Sequence, residues 1–229
     1  MRLRYTKNIT PAVDGMQKVA AITWSPNGVK LAVATSDRIV NLFDENGEKK
    51  ERFPTKASDK GQKSYVIRGL EFSPDSTKVA VAQSDNIVFV YKVGSDWTGE
   101  KKSICNKFPT TSSVTCMTWP RKQGSDVVFG LAEGKVRIGF IKNNKGAVLY
   151  STESYVVSLA SSRDGNSIVS GHLDGSIYTF NLESQSGQKI INYSSVPYAL
   201  AWGESIVCAG LDNKVAFYNP KGNLFQKFD

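Results

Sequence analysis

One phrase of the sequence constrains the fold more than any other feature. "AITWSPNGVKLAVATSDRIVNLFD", residues 21–44, returns at residues 69–92 as "GLEFSPDSTKVAVAQSDNIVFVYK". The Ser-Pro turn, the Ala-Val run and the Ser-Asp turn recur in place. Three looser copies follow. Aligned on the residue before the first turn, the five copies pass through Trp24, Phe72, Trp119, Ser161 and Trp202, at a period of roughly 40 to 48 residues. A period of that length in a chain of short apolar runs belongs to propeller blades.

Each copy has the same internal order. A short apolar run leads to a tight turn, as in Ser25-Pro26-Asn27-Gly28, Ser73-Pro74-Asp75-Ser76 and Arg163-Asp164-Gly165-Asn166. A second run follows ("KLAVAT", "KVAVAQ", "DVVFGLA", "SIVSGH", "SIVCAG"). An acidic turn comes next, led by Asp37, Asp85, Glu133, Asp174 and Asp212. Asp-Gly and Asp-Asn steps suit two-residue hairpins because they accept positive φ. A third run ends on an aromatic: Phe43, Tyr91, Phe140, Phe180 or Tyr218. A glycine-bearing turn and a more polar fourth run close the unit. Four antiparallel strands with an apolar inner side and a charged outer one make a blade, and blades bury their faces only by stacking.

The expected fold is therefore all-β, a propeller of five four-stranded blades in a single domain over 1–229. The blades are expected at about 17–56, 65–112, 113–152, 155–193 and 196–229. "LRYTKNI", residues 3–9, reads as an extra closing strand, while "NLFQKF" already completes the last blade. Five blades with a spare strand suggest part of a larger, seven-bladed ring; a complete five-bladed ring stays open as the alternative. In the incomplete case, apolar residues of the first and last blades, including Val19, Ile22, Ile206 and Val207, are expected to meet water.

Charge and composition narrow the function classes. The net charge is +8, with basic residues clustered at Lys49, Lys50 and Arg52, at Lys101 and Lys102, at Arg121 and Lys122, and at Lys142 and Lys145. Such a balance suits acidic partners or a solvated rim. It leaves contact with anionic membrane or tubulin tails open without further support, and no aromatic-rich nucleic-acid motif accompanies it. Met1-Arg2-Leu3-Arg4 leads into no apolar run, so no secretory signal is expected. The apolar runs are far shorter than a membrane span. Cys105, Cys116 and Cys208 are too few and scattered for a disulfide framework or a zinc site, so a reducing, intracellular setting is expected.

The sequence argues against an enzyme. One histidine, His172, cannot assemble a Ser-His-Asp set or a His-rich metal cluster. The five turn acids recur once per blade, which reads as architecture rather than as a carboxylate pair. "GLAEGKVRIG" lies in a hairpin and not between strand and helix, so no phosphate loop is implied. No catalytic, cofactor or metal site is expected. The candidate partner contacts are Tyr65, Arg68, Tyr155 and Tyr198, which lead into first strands, and Trp97 in the long turn "GSDWTGEKKS". Tyrosine and arginine are strong interface anchors, and long loops on rigid scaffolds carry contacts.

The blade grammar resembles the WD-repeat family in a divergent form. Asp37, Asp85, Asp174 and Asp212 match that family's structural aspartate, and Glu133 replaces it. The family's Trp-Asp dipeptide is missing and Gly-His occurs only as Gly171-His172 at the end of a second run, so the family's full hydrogen-bond network is not expected and the acids are read as turn formers only. Denser matches lie in "LRYTKNI", "KSYVIRGLEFSPDSTKVAVAQSDNIVFVYKVGSDW", "ICNKF", "VVFGLAEGKVR", "TESYVVSL" and "PYALAW". They are similar to the amino-terminal propeller of the largest subunit of intraflagellar transport complex B. The resemblance implies a non-enzymatic scaffold that contacts other subunits of that complex. It implies a place in the cilium or flagellum, at the axoneme and basal body on the cytoplasmic side, and a part in cilium assembly and maintenance.

Overall fold

Ile87–Lys92 reads Ile-Val-Phe-Val-Tyr-Lys, and all but the last residue are buried. A strand sends alternate side chains to opposite faces, so a continuous apolar run needs cover on both sides. The computed structural model, which describes residues 5, 7–9, 15, 17–59, 64–99, 101–122 and 124–229, supplies that cover by stacking sheets. Ile87, Phe89 and Tyr91 pack towards the preceding sheet, and Val88 and Val90 towards the following one.

Five antiparallel sheets of four strands make up the described residues, each a meander in chain order. The first holds β1 (Val19–Trp24), β2 (Leu31–Thr35), β3 (Ile39–Phe43) and β4 (Lys49–Pro54). The second holds β5 (Ile67–Phe72), β6 (Lys78–Gln83), β7 (Ile87–Lys92) and β8 (Ser103–Pro109). The third holds β9 (Val114–Thr118), β10 (Val127–Leu131), β11 (Lys135–Phe140) and β12 (Lys145–Ser151). The fourth holds β13 (Val156–Ser161), β14 (Ser167–His172), β15 (Ser176–Asn181) and β16 (Ser186–Asn192). The fifth holds β17 (Ala199–Trp202), β18 (Ile206–Ala209), β19 (Val215–Tyr218) and β20 (Leu224–Phe228). The first strands β1, β5, β9, β13 and β17 pack against one another in that order, which makes them the inner strands of successive blades.

The core lies between the blades. One apolar cluster fills each of the four seams between neighbours, from the first blade to the fifth. In all five blades the register slips between the third and fourth strands, for example at Val90/Tyr91 and Ile177/Tyr178. A bulge at that place bends and twists the outer strand away from a flat sheet.

The turn between first and second strands is built alike in three blades. Ser25, Ser73 and Ser162 each accept through Oγ from the N–H five residues on, at 2.8, 2.9 and 3.0 Å. Gly28, Ser76 and Gly165 take positive φ of 74°, 61° and 70° to close it. This is the physical content of the repeated Ser-Pro and Arg-Asp phrases.

One expectation lies partly outside the described residues, and one changes. The closing strand over 3–9 falls partly outside the described residues; Tyr5, Lys7, Asn8 and Ile9, which are described, lie in no strand. Ile206 is fully buried rather than exposed, because its parity points it at Val169 and Ile177 of the fourth blade. Val19 and Ile22 are exposed, at 49% and 64%. Ile22 corresponds in the repeat to Leu70 and Met117, which are 5% and 8% exposed because a preceding blade covers them. Val215, Leu224, Phe225 and Phe228 are likewise exposed on the fifth blade.

Candidate interaction face

The residues that lead into each first strand share one face of the stack with the turns between second and third strands, because the strands alternate in direction. The turn acids organise that face, and they do more than form turns. Asp85 accepts the Ser58 N–H at 2.7 Å, and Asp212 accepts the Tyr193 hydroxyl at 2.8 Å. Glu133 accepts the Thr111 hydroxyl and pairs with Lys135 at 3.1 Å. Ser58, Thr111 and Tyr193 all lie on the segments entering those blades from the blade before. Asp174 accepts Ser176 through backbone and hydroxyl at 2.9 and 2.6 Å, while its own N–H donates to Ser154 Oγ on the incoming segment at 3.0 Å. Asp37 keeps to its own turn, accepting the Thr35 hydroxyl at 2.6 Å. The reading of these acids as turn formers only is therefore corrected for the last four blades: they also hold the chain entering each blade.

In the first four blades the residue after the acid adds a second tie, to the segment leaving the blade. Gly134 and Gly175 have φ of 84° and 85°, and their carbonyls accept from Thr152 N at 3.0 Å and Tyr193 N at 2.8 Å. The segment leaving the blade lies so close that a Cβ on Gly175 would meet the Tyr193 carbonyl oxygen at 2.4 Å. Here the Asp-Gly dipeptide is required by both dihedral and space.

His172 is fully buried beside this turn. Its Nδ1 lies 3.0 Å from Thr152 Oγ1 and 3.1 Å from the Ser154 carbonyl oxygen; its Nε2 lies 2.8 Å from Ser170 Oγ. Tyr150 donates to the same Ser170 oxygen at 2.6 Å. Burial pushes the imidazole below its ordinary pKa, favouring the neutral form. This network ties the third blade to the fourth and leaves the ring committed to its neighbours.

The five candidate contacts separate on burial. Tyr65 is buried at 8% exposure, with its hydroxyl 2.9 Å from Thr55 Oγ1 and the Arg38 guanidinium 5.0 Å over its ring. It braces the joint between the first two blades, so its place as an accessible anchor is corrected. Trp97 is half-buried against the core of the first two blades, under the Lys30 ammonium at 4.4 Å. Lys30 itself is almost wholly buried and donates to the Gly94 and Asp96 carbonyls at 3.1 and 2.9 Å. The long turn is folded down and fastened, with the indole left partly accessible. Arg68, Tyr155 and Tyr198 remain exposed, the tyrosines at 41% and 51%.

Two leucines on the same face were not singled out in the sequence. Leu173 is 50% exposed and Leu211 69%, each immediately before a turn acid. The Leu173 N–H donates to the Tyr155 carbonyl at 2.9 Å, which sets these two residues side by side. Their signal was present in the repeat: the position before the acid is Ser36, Ser84 and Ala132 in the first three blades and leucine in the last two. A small residue replaced by an exposed leucine has no use in packing its own blade. The seam below is fixed, since Ser158 Oγ donates to the Pro197 carbonyl at 2.5 Å just before Tyr198. The fourth and fifth blades thus present Tyr155, Leu173, Tyr198 and Leu211 on a rigid support.

The stacked four-stranded sheets define a β-propeller, and residues 28–208 match the family model described as NUP159/214 beta propeller. The chain belongs to that propeller family. Along its whole length it is 50% identical to the Chlamydomonas reinhardtii protein named intraflagellar transport protein 172 and 50% identical to the Homo sapiens homolog of that name. It is 44% identical to the Caenorhabditis elegans intraflagellar transport protein osm-1. The chain spans 14% of the first of these relatives and 13% of the other two.

Proposed function

We propose that this chain is a propeller of an intraflagellar transport subunit and works as a non-enzymatic scaffold. Its partners in this reading are other subunits of intraflagellar transport complex B. Its place is the cilium or flagellum, at axoneme and basal body on the cytoplasmic side, where it serves cilium assembly and maintenance. The names of the relatives support the pathway. The observation that carries the scaffold reading is the set of exposed Tyr155, Leu173, Tyr198 and Leu211 on firmly braced turns, with Arg68 on the same face. Aromatic and arginine anchors of this kind dominate interface energies. The exposed sheet faces of the first and fifth blades support a further reading of these five blades as part of a larger, seven-bladed ring.

The test is reconstitution with purified complex B subunits. Tyr155→Ala, Tyr198→Ala, Leu173→Ser and Leu211→Ser combined should weaken capture of at least one subunit by about tenfold or more. Thermal stability should change little, because these side chains are 41–69% exposed. Unchanged capture of every subunit would overturn the face as a contact site.

A further inference from the structure

A groove of about 790 Å³ runs between the first and second blades on their outer side. Lys56, Ser58 and Asp59, on the segment joining the blades, line it together with Lys101, Lys102 and Lys107 at β8. Phe89 and Ile104 lie beneath them. Its volume falls in the range of sites that enclose ligands, roughly 300–1,000 Å³.

The lysines differ in their employment. Lys102 is paired with Glu51 at 2.8 Å, and both side chains are nearly buried. The side chains of Lys56, Lys101 and Lys107 are exposed and have no carboxylate within ion-pair distance among the described residues. Among the described residues Asp59 is the one acid on the lining. Among the described residues the groove therefore carries a surplus of positive charge.

Its walls are held in place. Lys56 N donates to the Tyr91 hydroxyl at 3.0 Å, and Ser58 N to Asp85 at 2.7 Å. On the opposite wall Lys107 N donates to Asn144 Oδ1 at 2.8 Å, and Asn106 Nδ2 to the Ile141 carbonyl at 2.8 Å. Backbone fixed on both sides lowers the ordering cost of binding.

We propose that this groove binds an extended acidic peptide segment of a partner protein. Carboxylates of the segment pair with Lys56, Lys101 and Lys107, and an apolar side chain rests against Ile104. The charge surplus selects an anion, and the recess between two blades selects a narrow chain over a lipid surface, which needs a flat or convex approach. Single-stranded nucleic acid needs an open aromatic face for stacking, and Phe89 is only 2% exposed. This site is separate from the tyrosine and leucine face and stands whether or not that face binds complex B subunits.

The experiment measures anisotropy of a labelled Glu-Asp-Glu-Leu-Glu-Asp-Glu peptide with the purified protein. A Gln/Asn counterpart, phosphatidylserine vesicles and single-stranded DNA are the comparison probes. Two triple variants with the same charge change are compared: Lys56→Glu/Lys101→Glu/Lys107→Glu in the groove and Lys189→Glu/Lys221→Glu/Lys227→Glu elsewhere. The acidic peptide should bind in a salt-dependent way, and the groove triple should weaken it by about tenfold or more. The distant triple should weaken it by less than about threefold, with both variants melting as cooperatively as the parent. Equal loss in both triples, equal binding of the Gln/Asn peptide, or binding only to vesicles or DNA would overturn the proposal.

Discussion

Glu71 offers the sharpest physical test of the seam between the second and third blades. It lies on β5, the inner strand of the second blade, where burial pushes its carboxyl up to about 7 from 4.5, against the opposing pull of Arg121. Folding therefore favours the neutral acid. Its contribution is complete below the ordinary pKa near 4.5 and is lost as pH rises through about 7. A displacement from 4.5 to 7 corresponds to roughly 3 kcal/mol at about 1.36 kcal/mol per pH unit. The side chain keeps partial contact with water, so about half of that, ~1.5 kcal/mol, is the expected effect. Glu71→Gln retains the shape without the titration. Urea unfolding of both proteins, followed by tryptophan fluorescence from pH 5 to pH 8, should show the parent losing ~1.5 kcal/mol relative to the variant. In melting temperature this is about 3–6 °C for a chain of this length. The buried His172 titrates alike in both proteins and cancels in the difference. A difference that stays constant across the range would refute the reasoning.

Two further outcomes test the packing. Gly175→Ala should cost about 3 kcal/mol or more, since it combines a φ of 85° with a 2.4 Å approach to the Tyr193 carbonyl oxygen; Gly28→Ala, with open space around it, should cost distinctly less, and equal losses by thermal melting would count against the tie. The exposed faces carrying Ile22 and Trp24 on the first blade and Phe225 and Phe228 on the fifth should drive concentration-dependent association of this chain; light scattering that shows a monomer at all concentrations would show that those faces need no cover.

The propeller was legible in the sequence because its determinants are local. A period of roughly 40 to 48 residues, turns at fixed offsets and apolar runs of strand length need no knowledge of neighbours. The same holds for the acids at the second-to-third-strand turns, whose positions follow from hairpin chemistry. What the acids bind was not legible. Asp85 reaches Ser58 and Asp212 reaches Tyr193 across 27 and 19 residues, and such pairings arise only when the segment entering a blade returns over its own turn.

Burial was decided by the stack. Ile206 and Val207 are equivalent in composition, yet one pleat step turns Ile206 into the fourth-blade seam and leaves Val207 partly exposed. Tyr65 and Tyr155 occupy comparable positions before first strands, but Tyr65 meets Thr55 and Arg38 and is buried, while Tyr155 remains 41% exposed. The basic groove depends on the same cause. Lys56 and Lys107 stand 51 positions apart in the chain and line one recess because two blades pack side by side. By itself the sequence determined the unit and its repetition, since hydrogen-bonded turns and pleat parity act over a few residues. Only the tertiary structure decided which faces are covered and which side chains are left to meet a partner, because burial depends on what the neighbouring blade places opposite.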